Sequence, residues 1–274
     1  MTLTELATRY CTRVGGSPAY LRQYHILTRR IDWDVAKLSP DQIDAYLTSA
    51  LEHLSPSTVA KHRRMLACLL RFAAAERLLN RRTVIRPLRR VKVPPPNPRA
   101  WSHADIRTLL SVAADLPGGT RHCPYATLLP AWILAAYSTG LRRSDLLSLR
   151  HDAIRGSRAA VRQQKTTYPH VVLLDAACLA AIRKLPRRGP EVFGGLISGV
   201  QIVRTMRKLV KRAGLEGTSK WLRRSGATYC EAAGYDASGH LGHRSPNMKI
   251  YYIDRLLLAE IRPEEPRVPS VLAT

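Results

Sequence analysis

No apolar run in this sequence of 274 residues approaches the roughly 20 residues that a membrane-spanning helix needs. The opening residues, MTLTELATRY, carry no basic stretch followed by an apolar one, so no secretory leader is read. These two absences predict a cytoplasmic chain with no membrane partner. Cysteines are sparse and scattered. Cys11, Cys68, Cys123, Cys178 and Cys230 are odd in number and form no C-x-x-C pair. That argues against a disulfide framework and against a cysteine zinc site, and it predicts reduced thiols lying mostly in the core. No internal repeat is visible. Acidic residues are scarce beside their opposites, 20 Asp and Glu against 44 Lys and Arg.

This imbalance leaves a formal net charge of +24, extreme for the length. A field of that sign and size favours a polyanion, and nucleic acid is the default partner. Much of the excess is arginine, whose planar fork suits bidentate contacts to phosphate. The alternatives are a basic protein without a specific ligand, or one that binds an anionic membrane surface. The remaining composition describes a folded chain. At 45% hydrophobic residues a sizeable core can be buried, and 23% charged residues is too few for a disordered polyelectrolyte. The length allows two modest domains or one large one.

The segment VPPPNPR, residues 93–99, is the clearest break. Successive prolines cannot continue a helix and favour extended backbone. The predicted organisation is one domain over 1–93, a connector over 94–99 and a second domain over 100–274. The first domain reads as all-helical. Ser39-Pro40-Asp41-Gln42 supplies an N-cap, a proline at the first helical position and a capping-box glutamine. Ile43, Tyr46, Leu47, Ala50, Leu51 and Leu54 then recur at helical spacing. Ser55-Pro56 opens another helix, with Val59, Leu66, Leu69, Leu70 and Ala73 as its apolar stripe. Its opposite face carries Lys61, His62, Arg63, Arg64 and Arg71. Arg77, Arg81, Arg82, Arg86, Arg89, Arg90 and Lys92 follow, and between residues 61 and 99 the only acid is Glu76. A run of one sign repels itself without counter-charge, so contacts to a DNA backbone are expected here, with Lys61, Arg63, Arg64, Arg71, Arg89, Arg90 and Lys92 as candidates.

The second domain opens on Ser102 and Asp105, another capping pair, before Ile106, Leu109 and Leu110. Residues 125–138, YATLLPAWILAAYS, predict a buried helix that ends at Thr139-Gly140-Leu141. A short helix follows over 144–149. Residues 159–163 and 170–174 read as the strands of a hairpin whose turn, 165–169, carries Lys165. Helices are predicted near 175–184, 199–213 and 218–233. The fold class is therefore mainly α with a small antiparallel β-sheet.

The stretch 240–255, HLGHRSPNMKIYYIDR, places His243 ahead of two adjacent tyrosines, Tyr251 and Tyr252. A tyrosine hydroxyl can attack phosphorus. Cleaving a phosphodiester without a metal also needs fixed cationic donors for the charge gained by the non-bridging oxygens, and an acid for the leaving oxygen. Two arginines, a lysine and a histidine beside the tyrosine meet those needs. The sequence offers Arg142, Lys165, Arg223 and His243 in that order before the tyrosine pair. Adjacent residues on a helix or turn point roughly 100° apart, so one tyrosine at most faces such a site. Arg223 and Arg224 compete in the same way. His240 and His243 find no third metal ligand in view.

These residues carry a resemblance to the tyrosine recombinases, or phage-integrase family. Thr139-Gly140-Leu141-Arg142-Arg143-Ser144-Asp145-Leu146 is similar to the family's first arginine box, which matches Arg142 to the first catalytic arginine and Asp145 to an acid that braces it. Lys165 lies at a hairpin turn, as the family's catalytic lysine does. Lys220-Trp221-Leu222-Arg223-Arg224 is similar to the second box and matches Arg223 to the second arginine. Lys220 departs from the family there, which carries histidine. Leu241-Gly242-His243 matches the third box. The family's tyrosine nine residues beyond that histidine falls on Tyr252, leaving Tyr251 as a packing residue.

The resemblance covers the whole second domain, as an α+β catalytic domain, and extends more loosely to the first, as a helical core-binding domain. It implies a site-specific DNA recombinase acting through a 3′-phosphotyrosyl link. Arg142, Arg223 and His243 would stabilise the transition state, Lys220 would assist, and Lys165 would protonate the leaving oxygen. Arg143, Arg224 and Arg244 join the expected DNA contacts. No metal or other cofactor is implied. The implied partners are double-stranded DNA with specific target sites and three further copies of the chain, four protomers on two sites. Leu256, Leu257, Leu258 and Ile261 form an apolar patch ahead of the tail RPEEPRVPSVLAT. This segment is expected to dock on a neighbouring protomer, with packing on its own domain as the alternative. The helical pattern starts almost at Met1, which favours a simple recombinase over one with a preceding arm-site domain. A DNA-binding regulator without activity and a type IB topoisomerase are the competing readings.

Overall fold

The computed structural model describes residues 1–31, 33–80 and 83–262. The chain divides into two compact units, Met1–Pro95 and Pro96–Thr274. No described helix is long and apolar enough to cross a membrane. The fold is mainly α with one small antiparallel sheet.

The first unit holds α1 (Leu3–Arg13), α2 (Pro18–Thr28), α3 (Pro40–His53) and α4 (Pro56–Ala75). Each starts on a hydroxyl cap, Thr2, Ser17, Ser39 or Ser55, that accepts from a backbone N–H in the first turn. Proline follows three of these caps, at the position where its missing donor costs nothing. The capping box expected at Ser39 is only half formed. Ser39 caps Gln42 N, but Gln42 Oε1 is buried without a hydrogen-bond partner. The apolar stripe of α4 is buried as its spacing predicts, whereas Leu51 of α3 lies outside the core.

The basic run beyond α4 does find counter-charge, from distant sequence. Arg86 pairs with Asp41 at 2.6 Å and Asp44 at 2.7 Å, whereas Glu76, the acid within the run, is taken by Arg9 of α1 at 2.6 Å. Asp44 also accepts from Arg89 N at 2.8 Å, and Leu88 is buried. The segment after α4 is thereby laid along α3 and α4. Arg81 and Arg82 lie outside the described residues.

The second unit is organised around α6 (Tyr125–Thr139), which is apolar on all sides and buried along its length. Around it lie α5 (His103–Ala114), α7 (Arg143–Leu147), α8 (Ala176–Arg183), α9 (Gly199–Arg212) and α10 (Lys220–Ala232). The expected cap of α5 is a complete box between Ser102 and Asp105. Gly226 lets α10 approach α6 closely, because a Cβ there would collide with Tyr137 O. The sheet, in order β1-β2-β3, contains β1 (Ile154–Arg155), β2 (Arg158–Arg162) and β3 (Pro169–Leu173). β1 was not expected. Pro169, expected in the turn, begins β3 opposite Arg162, a position on an edge strand where no ladder donor is required. Ala159, Val161 and Val172 form the buried face.

The chain finishes with α11 (Ala237–His240), a 3-10 turn over Pro246–Tyr251 and α12 (Arg255–Ile261). The apolar patch expected on α12 divides. Leu257 is buried and Leu258 packs toward Ala227, Ala237 and Leu241, while Leu256 is 60% exposed. The tail beyond Arg262 lies outside the described residues.

Candidate active site

Helix α6 ends at Gly140, whose φ of 57° turns the chain out of the helix so that Arg142 stands immediately before α7. Arg142 is half-buried. Its Nη1 donates to Gln163 Oε1 at 3.0 Å and lies 3.8 Å from Asp145 Oδ2. Asp145 is 0% exposed. Its Oδ1 accepts from Gln164 N at 2.9 Å, and its Oδ2 has no hydrogen-bond partner and lies beside the Arg142 guanidinium. Asp145 therefore braces Arg142, since a buried carboxylate needs a compensating cation.

Arg223 lies in the first turn of α10 and is 7% exposed. Its Nη1 donates to Gly140 O, and its Nη2 donates to Leu241 O at 3.1 Å and to His243 Nε2 at 3.1 Å. Burial, opposed by Tyr252 and reinforced by Arg142, lowers its pKa to about 10, which leaves it charged at neutral pH. A guanidinium has no acceptor, so the bond to Arg223 fixes the lone pair of His243 at Nε2 and its proton at Nδ1. Burial first, then Arg223 and Arg142, hold His243 down to about 4. His243 is thus a neutral donor, and its Nδ1 is buried with no hydrogen-bond partner in the structure.

Tyr252 closes the cluster. Its ring centroid lies 4.7 Å from that of His243 and 5.1 Å from the Arg223 guanidinium carbon. The segment bearing it is pinned on both sides. Lys249 pairs with Glu231 of α10 at 2.6 Å. Asp254, buried, caps α12 and accepts from Ala100 N at 2.8 Å, while its own N–H donates to Thr228 Oγ1 at 3.0 Å. Tyr251 is 47% exposed, so it is not the packing residue that the sequence suggested.

The two lysines are placed differently from the arginines. Lys165 is exposed on the hairpin turn, near enough for its charge to help hold His243 neutral. Lys220 is exposed at the first residue of α10, and among the described residues no hydrogen bond or ion pair joins it to the cluster.

Several contributors escaped the sequence reading. Gln163 is 1% exposed and links Arg142 to Leu241 O and Gly242 O. His170 donates to His240 O at 3.2 Å. His240 is held down to about 4 chiefly by burial and packs against Gly140. A signal for two of these existed. Strand alternation that sends Ala159, Val161 and Val172 inward also sends Gln163 and His170 inward, and a polar residue at an inward position asks for partners.

The expected DNA contacts fall into two groups. Arg64, Arg90, Lys92 and Arg143 are exposed, and none of their side chains makes a hydrogen bond or ion pair among the described residues. The others are engaged within their own units. Arg63 donates to Arg89 O at 2.6 Å and Leu88 O at 2.9 Å, and Lys61 to Gln23 Oε1. Arg71 donates to Ala67 O at 3.2 Å, and Arg89 to Thr48 Oγ1 at 2.8 Å. Arg224 reaches Arg99 O at 3.4 Å, and Arg244 stacks 3.4 Å above the Tyr168 ring. Among the described residues, no group of three or more His, Cys, Asp or Glu side chains is placed to hold a metal ion.

Comparison with known proteins bears on the family and the fold. The sequence profile of the phage integrase family matches residues 101–256. A lambda integrase fragment, solved as a dimer bound to a COC′ core site, superposes with a TM-score of 0.73 at 21% identity, covering 98% of this chain and 99% of that one. The Tn1549 transposon integrase in complex with a circular intermediate DNA gives 0.71 at 15% identity, covering 92% of this chain and 95% of that one. A lambda integrase tetramer bound to a Holliday junction gives 0.69 at 19% identity, covering 90% and 78%. At these identities the likeness is one of fold. No curated protein matches the sequence.

Proposed function

The chain belongs to the phage integrase family of tyrosine recombinases, and from that premise we propose that it is a site-specific DNA recombinase with Tyr252 as its nucleophile. The observation that carries the reading is the convergence of Arg223, His243 and Tyr252, with Tyr251 turned to solvent. Tyr252 Oη gives up its phenolic proton to solvent as it attacks the scissile phosphorus, the phosphotyrosyl bond forms at the 3′ side, and the bond to the 5′ oxygen breaks. The non-bridging oxygens gain charge in the transition state. Arg142 and Arg223 meet it as fixed cations, and His243 meets it as a neutral donor through Nδ1. Because Arg142 and Arg223 are already held by Gln163, Asp145, Gly140 O and Leu241 O, the two cations need little reorganisation at the moment of reaction. Lys165, on its exposed turn, gives a proton to the leaving oxygen. Lys220 assists through charge and a hydrogen bond once DNA is bound. The 5′ hydroxyl of a partner strand then attacks the phosphotyrosine, which restores a phosphodiester and frees Tyr252. Recombination requires two DNA sites and four protomers.

The test uses duplexes nicked near a randomised cleavage point, so that cleavage traps the protein covalently. An adduct that is lost in Tyr252→Phe and kept in Tyr251→Phe is expected. The reverse pattern would refute the choice of tyrosine. No adduct on any duplex would favour a DNA-binding regulator, and relaxed plasmid without recombinants would favour a topoisomerase.

A further inference from the structure

Gln163 follows β2 directly, and its buried carboxamide is fully used. Oε1 accepts from Arg142 Nη1 at 3.0 Å and from Thr166 Oγ1 at 2.8 Å. Nε2 donates to Leu241 O and to Gly242 O, each at 3.3 Å. The partners fix which end is which, because a guanidinium only donates and a carbonyl only accepts. One side chain therefore joins three parts of the site: the arginine that follows α6, the turn that carries Lys165, and the bend that presents His243. Gly242 is fitted to it. Its φ is +63°, and a Cβ there would collide with Gln163 Nε2 and lie 2.9 Å from the His170 ring. Arg142 has little else to hold it. Its other anchor, Asp145, stands at 3.8 Å.

We propose that Gln163 is a positioning residue for strand cleavage, holding Arg142 toward the scissile phosphate while setting the Lys165 turn against the His243 bend. It acts through these groups and does not touch the reacting atoms. The inference rests on the strand-cleavage reading above. Its consequence is specific: part of what Gln163 supplies is the placement of a positive charge. A substrate whose scissile phosphate carries a methyl group in place of one non-bridging oxygen lacks the charge that Arg142 meets, so it needs Gln163 less.

The experiment measures single-turnover adduct formation by the full chain on nicked duplexes bearing either an ordinary or a methylphosphonate linkage at the cleavage point. Gln163→Met keeps the shape and loses all four hydrogen bonds. Its expected rate on the ordinary linkage is about tenfold to a hundredfold below wild type, the scale of a small misplacement of catalytic groups. On the methylphosphonate its deficit shrinks to about threefold or less, with DNA affinity within about twofold of wild type. An unchanged rate, or an equal deficit on both linkages, overturns the proposal. Gln163→Glu keeps the acceptor for Arg142 and Thr166 but opposes Leu241 O and Gly242 O. It is expected to be several-fold slow on both linkages, and faster than Gln163→Met on the ordinary linkage alone. Should the methionine variant fail to fold, a glutamate variant at the wild-type rate overturns the proposal alone. Absence of an adduct in the wild type would instead overturn the cleavage reading, and the positioning role with it.

Discussion

Alanine at position 242 tests how the site is held, and Gly156 provides its control. Both glycines sit in the left-handed region, at φ +63° and +59°. An L side chain there costs about 1–2 kcal/mol. Around Gly156 there is nothing within 4 Å, so Gly156→Ala incurs that strain alone. At Gly242 the added methyl also displaces Gln163 Nε2 from its two carbonyls and presses on His170. Each such hydrogen bond contributes about 0.5–1.5 kcal/mol. Gly242→Ala should therefore cost roughly 2–5 kcal/mol against about 1–2 kcal/mol for Gly156→Ala. For a unit of this size one kcal/mol moves Tm by about 2–4 °C. The expected falls are roughly 4–20 °C and about 2–8 °C. The kinetic contrast is sharper. Displacing the bend that presents His243 should slow covalent adduct formation on the order of a hundredfold, and Gly156→Ala should react like wild type. Thermal melts and single-turnover adduct assays read both quantities. Equal losses of Tm with unchanged cleavage in Gly242→Ala would refute the reasoning, because the contact with Gln163 would then hold nothing in place.

Further outcomes follow from the same geometry. His240 and His243 are both held down to about 4, chiefly by burial and then by Arg223. Between their folded values and the ordinary value near 6.5, the unfolded chain binds protons that the folded chain excludes, so stability falls as pH drops through that window. Tm should be lower at pH 5 than at pH 7, with a shallower slope in His240→Gln; a Tm that does not change would falsify this. Arg223→Lys replaces a fork on Gly140 O, Leu241 O and His243 with a single head. Adduct formation should fall on the order of 10²–10³ fold, and a loss under tenfold would contradict the role given to the fork. Arg63→Ala removes donors from Leu88 O and Arg89 O and should lower the Tm of the first unit, whereas Arg64→Ala should leave Tm alone. Arg64→Ala, at an exposed position, should instead reduce the magnitude of the slope of log K against log salt by about 1, measured by DNA titration at several salt concentrations.

The elements were legible where local rules decide them. Ser-Pro pairs fixed the starts of α3 and α4, and the apolar run at 125–138 gave α6 to within a residue. The hairpin was expected one residue late, because strand periodicity alone does not set register and Pro169 reads as a turn residue. Counter-charge for the basic run was invisible, since Asp41 and Asp44 precede Arg86 by more than forty residues. Tyr251 shows the limit of pattern. Its neighbour was chosen by spacing, but that it would lie open to solvent was not encoded in any spacing.

The sequence by itself determined the types of residue available to the candidate site, their order along the chain and the +24 net charge, whose sign favours a polyanion. Composition, capping and period are properties of neighbouring residues, so they survive without coordinates. The tertiary structure decided the rest: that Arg223 is buried and still charged, that His243 is neutral with its proton on Nδ1, and that Gln163 ties Arg142 to the Gly242 bend. These depend on groups brought together from sequence positions as far apart as Gly140 and Arg223. Burial and hydrogen-bond partners set protonation and orientation, and they exist only once the chain has folded.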